Sequence, residues 1–347
     1  MSRLLYRFIT LSILSAALGG SWLWNDYRLY LQTPMNDQPL NYTLEPGANL
    51  TQVVRDLAGQ GLIIKPRYLL FYARLQGNAN HIGTGEYRIK TGTTPAEFYQ
   101  QLVAGKVRQH ALTIVEGWSF RQMMDALNAH PQIKHTLAQA TDAEIMAAIN
   151  HVDEHPEGRF LPDTWHFPRG MSDVDFLRRA YAAMQIYLVQ EWATRAVDLP
   201  LKTPYEALIL ASIVEKETGL ASERPTIAGV FTRRLQKRIR LQTDPTVIYG
   251  MGARYKGNIR RSDLKRDTPY NTYRHHGLPP TPIALPGRAA IHAALHPESG
   301  KALYFVSRGD GSHYFSATLE EHNRAVIKYQ LKGRKRSFSS YKSKDKK

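Results

Sequence analysis

The stretch Thr203-Pro-Tyr-Glu-Ala-Leu-Ile-Leu-Ala-Ser-Ile-Val-Glu-Lys-Glu-Thr-Gly219 joins a helix start to a long apolar run. Thr203 is a preferred N-cap residue, Pro204 suits the first helical position, and Glu206 completes a capping-box pattern. Residues 207–214 are apolar on every face apart from one serine, which is typical of a helix that its domain encloses. The final glycine can take the left-handed conformation that ends a helix. The stretch therefore predicts a buried helix around which a domain packs.

Two glutamates, Glu215 and Glu217, stand at the end of this helix and point about 200° apart, so they cannot share one role. Glu217 continues the most apolar stripe, which is formed by Leu210, Ile213 and Val214. An apolar setting and the negative end of the helix dipole both raise the pKa of a carboxyl group. Glu217 is therefore the better candidate for a general acid. The residues alone leave open an ordinary ion pair of Glu217 with Lys216 or Arg224.

Longer ordered motifs surround the two glutamates. They are Ala211-Ser-Ile-Val-Glu-Lys-Glu-Thr218, Leu241-Gln-Thr-Asp-Pro-Thr-Val-Ile-Tyr-Gly250, Tyr270-Asn-Thr-Tyr273, Gly277-Leu-Pro-Pro280 and Tyr304-Phe-Val306. Together they resemble the catalytic core of the membrane-bound endolytic murein transglycosylases, the MltG or YceG-like family, and the resemblance covers nearly the whole chain. The second glutamate of the Glu-Lys-Glu triplet is catalytic in that family, which implies Glu217 here. Arg233 and Thr281 depart from the family pattern, which usually has asparagine and glycine at these places.

The resemblance implies an endolytic lytic transglycosylase that cleaves the β-1,4 bond between N-acetylmuramic acid and N-acetylglucosamine within peptidoglycan strands. Such an enzyme leaves 1,6-anhydro-N-acetylmuramic acid ends and would terminate the elongation of nascent strands. Peptidoglycan glycan strands are then the expected partner, peptidoglycan synthases are further candidates, and no cofactor is expected. Two alternatives stay open, a muramidase-type hydrolase and a non-enzymatic, membrane-tethered scaffold that binds glycan.

Further candidate substrate-binding residues follow from their places in these motifs. They are Gln242, Asp244, Asn271, Glu215 and Trp165, the last in the loop Gly158-Arg-Phe-Leu-Pro-Asp-Thr-Trp165. Asp244 has two interpretations. A glycoside hydrolase normally needs a second carboxylate, whereas an aspartate followed by proline is also a common start of a helix.

Cysteine is absent from the 347 residues, which excludes disulfides, thiolate metal sites and a cysteine nucleophile. His275, His276, His292 and His296 have no carboxylate at ligand spacing in the sequence, and no His-Glu-x-x-His pattern occurs. The sequence therefore predicts no metal site.

The N-terminus carries Arg3 and Arg7 around the start of an uncharged run of 17 residues, 8–24. Basic residues stay on the cytoplasmic side of a membrane, so this run predicts a transmembrane helix over 8–24 with residues 1–7 in the cytoplasm. The chain would then be a single-pass protein of the inner membrane with a periplasmic catalytic domain. A cleaved signal peptide is the alternative. Residues 25–41 are polar, contain two prolines and are predicted to be a linker.

A repeat follows the linker. Gly47, Gly92 and Gly117 each end a predicted strand, with a helix-capping residue two positions later and a leucine ten positions later. Residues 42–110 are similar to the LysM-like module of the family, for which glycan binding and simple packing are both open. Residues 111–331 are the predicted catalytic domain, of mixed α/β structure around the helix of Glu217. The predicted fold class is therefore α+β with an N-terminal transmembrane helix.

The formal net charge is +16, and residues 332–347 contribute +7 of it, with eight basic residues against one aspartate. This stretch is rich in serine and lysine, has no hydrophobic period and predicts a disordered basic tail. Such a tail suits anionic polymers of the cell envelope or anionic lipid headgroups. Nucleic acid is not expected as a partner, because an exported domain rarely meets any.

Overall fold

The computed structural model describes residues 3–45, 47–78 and 82–331, with side chains from residue 5 onward. The chain divides into two compact units. Unit 1 comprises Met1–Ala111 and His166–Met171, and unit 2 comprises Leu112–Trp165 and Ser172–Lys347. The structure mixes α and β and is mainly helical, and the strands of the described residues form three two-stranded sheets. The predicted basic tail, 332–347, lies outside the described residues.

Unit 1 is a small α/β arrangement. Its elements are helix α1 (Arg3–Gln32), strand β1 (Leu40–Leu44), helices α2 (Leu50–Gly59) and α3 (Pro66–Gln76), strand β2 (Gly85–Ile89), helix α4 (Pro95–Val103) and the first part of strand β3 (Gln109–Thr113). Strands β1 and β2 pair antiparallel, with Leu40 opposite Ile89 and Leu44 opposite Gly85. Aromatic and aliphatic side chains of these elements, among them Tyr87, Phe98 and Leu102, form one buried core.

The predicted repeat of strand, turn and helix is confirmed in the structure. Gly47, Gly92 and Gly117 all have positive φ angles between 78° and 84°, a backbone region that favours glycine. The capping residues that follow them, Asn49, Thr94 and Ser119, each close a capping box at the start of a helix. The leucines of the pattern, Leu57, Leu102 and Leu127, are completely buried. Local capping signals therefore fixed the starts of three helices correctly.

Residues 25–32 of the predicted linker 25–41 are helical, because helix α1 continues to Gln32 and packs against α3 and α4 within unit 1. Asp26 binds the Lys65 ammonium group at 2.6 Å and accepts a hydrogen bond from the Tyr68 hydroxyl at 2.8 Å. Tyr27 and Tyr30 are buried, each with its ring edge-on to the ring of Tyr68 at 5.6 Å. Tyr27 and Tyr30 are three residues apart and therefore lie on one face of the helix. Polar residues surround this short apolar stripe in the sequence, so the sequence pattern does not reveal it.

The predicted membrane span 8–24 also lies within α1. Among the helices of the described residues, none combines the length and the apolar character needed to cross a membrane.

Unit 2 is larger and mainly helical. After β3 come α5 (Phe120–Asn128), α6 (Asp142–Ala148), β4 (Thr164–Pro168), α7 (Asp173–Ala193), α8 (Pro204–Glu217), α9 (Arg224–Gln236), α10 (Asp244–Met251), α11 (Arg261–Lys265), α12 (Arg288–Leu295), β5 (Tyr304–Ser307), β6 (His313–Ser316) and α13 (Leu319–Tyr329). Strand β3 pairs with β4. Strands β5 and β6 form an antiparallel hairpin, with Tyr304 opposite Ser316.

Helix α8 is the central element of unit 2, as predicted. Every residue from 207 to 214 is buried, against side chains of α7, α9 and α12. Ser212, the one polar residue of the run, donates its hydroxyl to the carbonyl of Ile209 at 2.7 Å and accepts the backbone N–H of Ile283 at 3.0 Å. Its polar atom is therefore satisfied, which removes most of the desolvation penalty of burying it.

Three local predictions on the C-terminal side of α8 are wrong. Thr218 ends the helix in extended backbone, and Gly219 does not take the left-handed conformation. Ser222 is of a preferred N-cap type and predicts a helix start there, but a 3-10 turn over Ala221–Glu223 comes first and α9 begins at Arg224. The sequence of residues 240–242 predicts a short strand, which is not formed, and Gln242 has a φ angle of 51° instead. The chain here follows tertiary contacts rather than local propensity.

Candidate active site

Glu217 is the last residue of α8, and its carboxyl group is enclosed by unit 2. Its Oε1 accepts a hydrogen bond from the hydroxyl of Thr243. The pKa of Glu217 is raised from the ordinary 4.5 to about 7, mainly by burial and also by the nearby negative charge of Asp244. The Thr243 hydroxyl, His313 and Arg234 act in the opposite direction. A carboxyl group with this pKa holds its proton near neutral pH and can also release it.

Thr243 is held in place by two other buried threonines. Its backbone N–H donates to the Thr272 hydroxyl at 3.1 Å, and its carbonyl accepts from the Thr246 hydroxyl at 2.8 Å. The hydroxyls of Thr246 and Thr272 are 2.9 Å apart, and all three residues are at most 2% exposed. This network fixes the direction of the Thr243 hydroxyl and, through it, the position of the Glu217 carboxyl group.

Asp244 is the first residue of α10 and is exposed. It does not cap the helix as one interpretation of the sequence had it, because Thr243 is the N-cap residue and makes no capping hydrogen bond with its side chain. Instead, Asp244 Oδ1 accepts a hydrogen bond from the Tyr273 hydroxyl at 2.6 Å. Burial and the Asp244 charge together raise the pKa of Tyr273, so its hydroxyl remains a donor. The result is a fixed carboxylate beside Glu217.

Cationic groups lie on another side of Glu217. Arg234 is buried and donates to the carbonyls of Leu303 and Leu241 at 2.7 and 2.6 Å, while its guanidinium carbon lies 5.1 Å from the centre of the Tyr304 ring. His313 binds Glu223 through Nδ1 at 2.7 Å and through its backbone N–H at 2.8 Å. Both side chains are therefore held by other parts of unit 2 and contribute positive potential at Glu217 without forming an ion pair with it.

Glu215 has a different environment, as the helix geometry predicted. Its carboxylate binds Arg224 at 3.0 Å and accepts the backbone N–H of Gly287 at 3.0 Å. Burial raises the pKa of Glu215, while Gly287 and Arg224 lower it. Lys216 donates to the carbonyl of Gly117 at 3.1 Å. Lys216 and Arg224, the two cations that the sequence suggested as partners of Glu217, therefore bind other groups. Arg224 forms its ion pair with Glu215.

The YceG-like family model matches residues 42–328. The chain belongs to the YceG-like family. It is 28% identical over 329 residues to an endolytic murein transglycosylase of Bacillus subtilis (strain 168), an alignment that covers 90% of this chain and 91% of that protein. It is 24% identical over 360 residues to an endolytic murein transglycosylase of Streptococcus pneumoniae serotype 2 (strain D39 / NCTC 7466), covering 92% of this chain and 64% of that protein. The chain thus spans less than two thirds of the streptococcal relative.

A solved structure is also similar. The crystal structure of a YceG-like protein from Listeria monocytogenes superposes with a TM-score of 0.54 at 28% sequence identity, covering 84% of this chain and all of that one. The sequence resemblance to the YceG-like family is therefore confirmed.

Two predicted site residues of this YceG-like chain, Asn271 and Trp165, are held by hydrogen bonds within unit 2. Asn271 is buried, and its amide group donates to the carbonyls of Leu264 at 3.1 Å and Arg266 at 2.6 Å. Trp165 packs against the core of unit 2 and donates its indole N–H to the carbonyl of Leu161 at 3.2 Å. Asn271 therefore organises the loop that carries Tyr273, and Trp165 anchors its own loop.

Gln242 lies directly before Thr243 with an exposed side chain. Its φ angle of 51° places it in the left-handed region, which costs a residue other than glycine about 1 kcal/mol or more. Its backbone N–H donates to the carbonyl of Thr272 at 3.2 Å, which holds this conformation. The strain turns the chain sharply between Leu241 in the core and Thr243 at the carboxyl group.

The two departures from the YceG-like pattern are accommodated by hydrogen bonds. Arg233 donates to the carbonyls of Ala302 at 2.7 Å and Glu298 at 2.9 Å, and so holds the loop before β5. Thr281 shares a hydrogen bond of 2.8 Å with the Tyr270 hydroxyl and donates to the carbonyl of Pro282 at 2.8 Å. Both side chains thus have partners within unit 2.

The sequence argument against a metal site is wrong in one respect. Glu191 of α7 supplies a carboxylate to His292 and His296, from about one hundred positions away in the chain. Thr243, Tyr273, Arg234 and His313 were likewise missed as neighbours of Glu217, although Thr243 and Tyr273 stand within the quoted motifs. Such groups meet only through tertiary packing, which spacing along the sequence does not reveal.

Proposed function

We propose that this chain is an endolytic lytic transglycosylase of peptidoglycan. Membership of the YceG-like family and the names of the Bacillus and Streptococcus relatives support this function. The assignment of the catalytic role to Glu217 rests on its carboxyl group. This group is enclosed at a helix end and accepts a hydrogen bond from the Thr243 hydroxyl, and its pKa is raised to about 7. Such a group can donate a proton and then accept one within the same reaction.

The reaction requires Glu217 to act twice. In the first step, protonated Glu217 gives its proton to the glycosidic oxygen that leaves with N-acetylglucosamine, while the bond from this oxygen to C1 of N-acetylmuramic acid breaks. In the second step, the C6 hydroxyl of the muramyl residue attacks C1, and the Glu217 carboxylate takes up the hydroxyl proton. The product has a 1,6-anhydro ring, no water is consumed, and Glu217 is protonated again.

Asp244 and Tyr273 have a supporting role in this proposal. Positive charge develops at C1 of the sugar as the glycosidic bond breaks, and a fixed carboxylate stabilises it. Asp244 is exposed beside Glu217, and the Tyr273 hydroxyl holds it at 2.6 Å. The exposed side chain of Gln242 is the further candidate for a sugar contact, because its strained backbone lies next to Thr243.

The test is mass spectrometry of the products that the purified full chain and its Glu217→Gln variant form from peptidoglycan strands. We expect products that end in 1,6-anhydro-N-acetylmuramic acid, absent with the variant. Reducing ends that are one water heavier would make the enzyme a hydrolase with Asp244 as its second carboxylate. Strands that bind without being cut would indicate a scaffold. Equal turnover by the variant, with loss in Glu215→Gln, would transfer the role to the other glutamate.

Unit 1 supports a second part of the proposal. The order β1, α2, α3, β2 places two helices between paired antiparallel strands, and we assign this segment to a LysM-like module that binds the glycan strand. Removal of this affinity should weaken binding of long strands more than of short ones, because only long strands can reach a second site. Equal affinity of the chain for short and long glycan oligomers would limit unit 1 to a packing role.

The proposed location is the inner membrane, with α1 as the anchor and the catalytic domain in the periplasm. Apolar side chains along α1 are more than half exposed, namely those of Leu11, Ile13, Leu14, Leu18 and Leu23. A continuous apolar surface of this kind is typical of contact with lipid or with another protein. Washing isolated membranes with alkaline carbonate should leave the chain in the pellet, and its release would exclude the anchor. Peptidoglycan synthases remain the candidate protein partners.

A further inference from the structure

The ends of helices α7 and α12 bring three potential metal ligands together within unit 2. Glu191 lies in the last turn of α7, His292 lies in the second half of α12, and His296 caps the C-terminus of α12. One ligand atom of each residue lies within 4.8 Å of those of the other two. His292 Nδ1 is 2.8 Å from Glu191 Oε2, and His296 Nε2 is 3.6 Å from the same oxygen.

The histidine nitrogens are not fully used by the protein. His296 Nε2 is buried and has no hydrogen-bond partner, because the Glu191 oxygen lies beyond hydrogen-bond distance. An orphaned buried polar atom is unusual in a native structure and calls for a missing partner. The two imidazole rings stack with their centres 4.4 Å apart, as expected for histidines four residues apart on one helix face. The orphaned nitrogen therefore faces the other two ligands.

The donor set suits a transition-metal ion. Two imidazoles and one carboxylate are the ligands of several zinc sites, in which a water molecule fills the fourth position. Zinc holds nitrogen and oxygen ligands at about 2.0–2.2 Å, so that neighbouring ligand atoms of a tetrahedral site are about 3.3 Å apart. The separations of 2.8 and 3.6 Å from Glu191 Oε2 lie on either side of that value.

The surroundings also favour a cation. Both helices end here, so the partial negative charge of two helix C-termini adds to the Glu191 carboxylate. The Tyr187 hydroxyl, one turn before Glu191, donates to the carbonyl of Arg288, the first residue of α12, at 3.1 Å and so helps to hold the two helices together. His292 is more than half exposed, which leaves an open path for the ion and for a water ligand.

We propose that Glu191, His292 and His296 bind one divalent transition-metal ion, with zinc as the first choice. The ion joins the C-terminal ends of α7 and α12. Both helices pack against α8, the helix of Glu217, so the ion stabilises the scaffold behind the candidate active site. The site lies outside the Glu217 cluster and does not depend on the proposed glycan chemistry.

The test is the zinc content of the full chain without a histidine tag, measured after equilibrium dialysis against zinc and compared with three variants. We expect one zinc per chain, and none in His292→Ala or Glu191→Gln. The double variant His275→Ala/His276→Ala is the matched control, because it removes two exposed adjacent histidines far from Glu191 in sequence, and it should still bind one zinc. Zinc loss only in the control variant, or equal zinc binding by all proteins, would overturn the proposal.

A second measurement separates metal binding from folding. The melting temperature of the wild-type chain should rise when zinc replaces a chelator, because an ion that binds the folded state stabilises it. The His292→Ala variant should match the wild type in chelator and show no response to zinc. A variant that already melts lower in chelator and still responds to zinc would make the cluster a structural hydrogen-bond group rather than a metal site. Magnesium should give no rise, since it prefers oxygen ligands.

Discussion

Glu157 and Glu217, two glutamates of unit 2, share a raised pKa but not a role. Burial raises the pKa of each to about 7. Glu157 accepts the backbone N–H of Phe120, the first residue of α5, at 2.9 Å and the Tyr249 hydroxyl at 3.1 Å. Both of its oxygens are thus engaged in holding a helix start and a tyrosine. Glu217 accepts the Thr243 hydroxyl at one oxygen, beside the exposed Asp244.

Glu157 and Glu217 differ in their hydrogen-bond partners and not in their pKa. A raised pKa reports desolvation, and structural carboxyls are desolvated as often as catalytic ones. A general acid also needs an oxygen that substrate can reach and a neighbouring charge that responds to the reaction. Both oxygens of Glu157 accept hydrogen bonds from the protein, whereas Glu217 accepts the Thr243 hydroxyl at Oε1. Mutations and pH titrations of Glu157 and Glu217 test this distinction.

The largest expected effect is the loss of activity in Glu217→Gln. General acid catalysis contributes about 100- to 10,000-fold to a rate, so the transglycosylase turnover should fall by a factor in that range. The free energy of unfolding should match that of the wild type below about pH 4.5, because glutamine keeps the shape and neutral charge of the protonated acid. Product release by chromatography and a denaturant titration measure the two quantities. The same loss in Glu157→Gln would remove the distinction between the sites.

A second prediction concerns stability and pH. Both glutamates have an ordinary pKa of 4.5 and a folded pKa of about 7, so the folded state binds more protons than the unfolded state between these values. The contribution of each group to stability is therefore fully present below pH 4.5 and falls as the pH rises to about 7. The loss is on the order of 3 kcal/mol per group. Unfolding titrations at several pH values should show a shallower fall in either glutamine variant.

Glu157→Gln should reduce stability rather than turnover. The amide offers one acceptor oxygen where the carboxylate offers two, so either the Phe120 N–H or the Tyr249 hydroxyl loses its partner. An unsatisfied buried donor costs about 1–3 kcal/mol, and the free energy of unfolding near pH 5 should fall by that amount. Tyr249→Phe is the matched control, because it removes one of the two donors. Full stability in both variants would show that these hydrogen bonds do not hold Glu157.

The smallest effect is a pair of opposite shifts in the pH dependence of kcat/KM. Thr243→Val removes the donor that lowers the pKa of Glu217, so the alkaline limb of the profile should move to higher pH. Asp244→Asn removes the negative charge that raises this pKa, so the limb should move to lower pH. Each shift should be less than about one pH unit. Shifts in the same direction would assign the limb to a group other than Glu217.

The sequence was sufficient where local rules decide the structure. The apolar run 207–214 predicted the burial of α8, and glycine followed by a capping residue predicted the starts of α2, α4 and α5. Helix periodicity also separated Glu217 from Glu215, and the ion pair of Glu215 with Arg224 agrees with that separation. These signals act over a few residues and are visible in any single sequence.

The sequence was insufficient where distant segments meet. Gln242 departs from the expected strand because the Thr272 carbonyl holds its backbone in a turn. Asp244 binds Tyr273 instead of capping α10, and Glu191 reaches two histidines in another helix. Each of these contacts joins segments at least about thirty residues apart, and no period or spacing encodes such a pair. The neighbours of Glu217 were therefore identified only once the fold was known.

The C-terminal end of α1 packs against other elements of unit 1, and this packing decides where the chain can be shortened. A truncation that starts at β1 would treat residues 25–39 as dispensable, but it would remove Asp26, Tyr27 and Tyr30 from the core of the module. Tyr68 would lose both its ring neighbours and the carboxylate that its hydroxyl binds. A shortened protein that keeps unit 1 intact must therefore begin no later than Asp26, and the last two turns of α1 belong to the folded module.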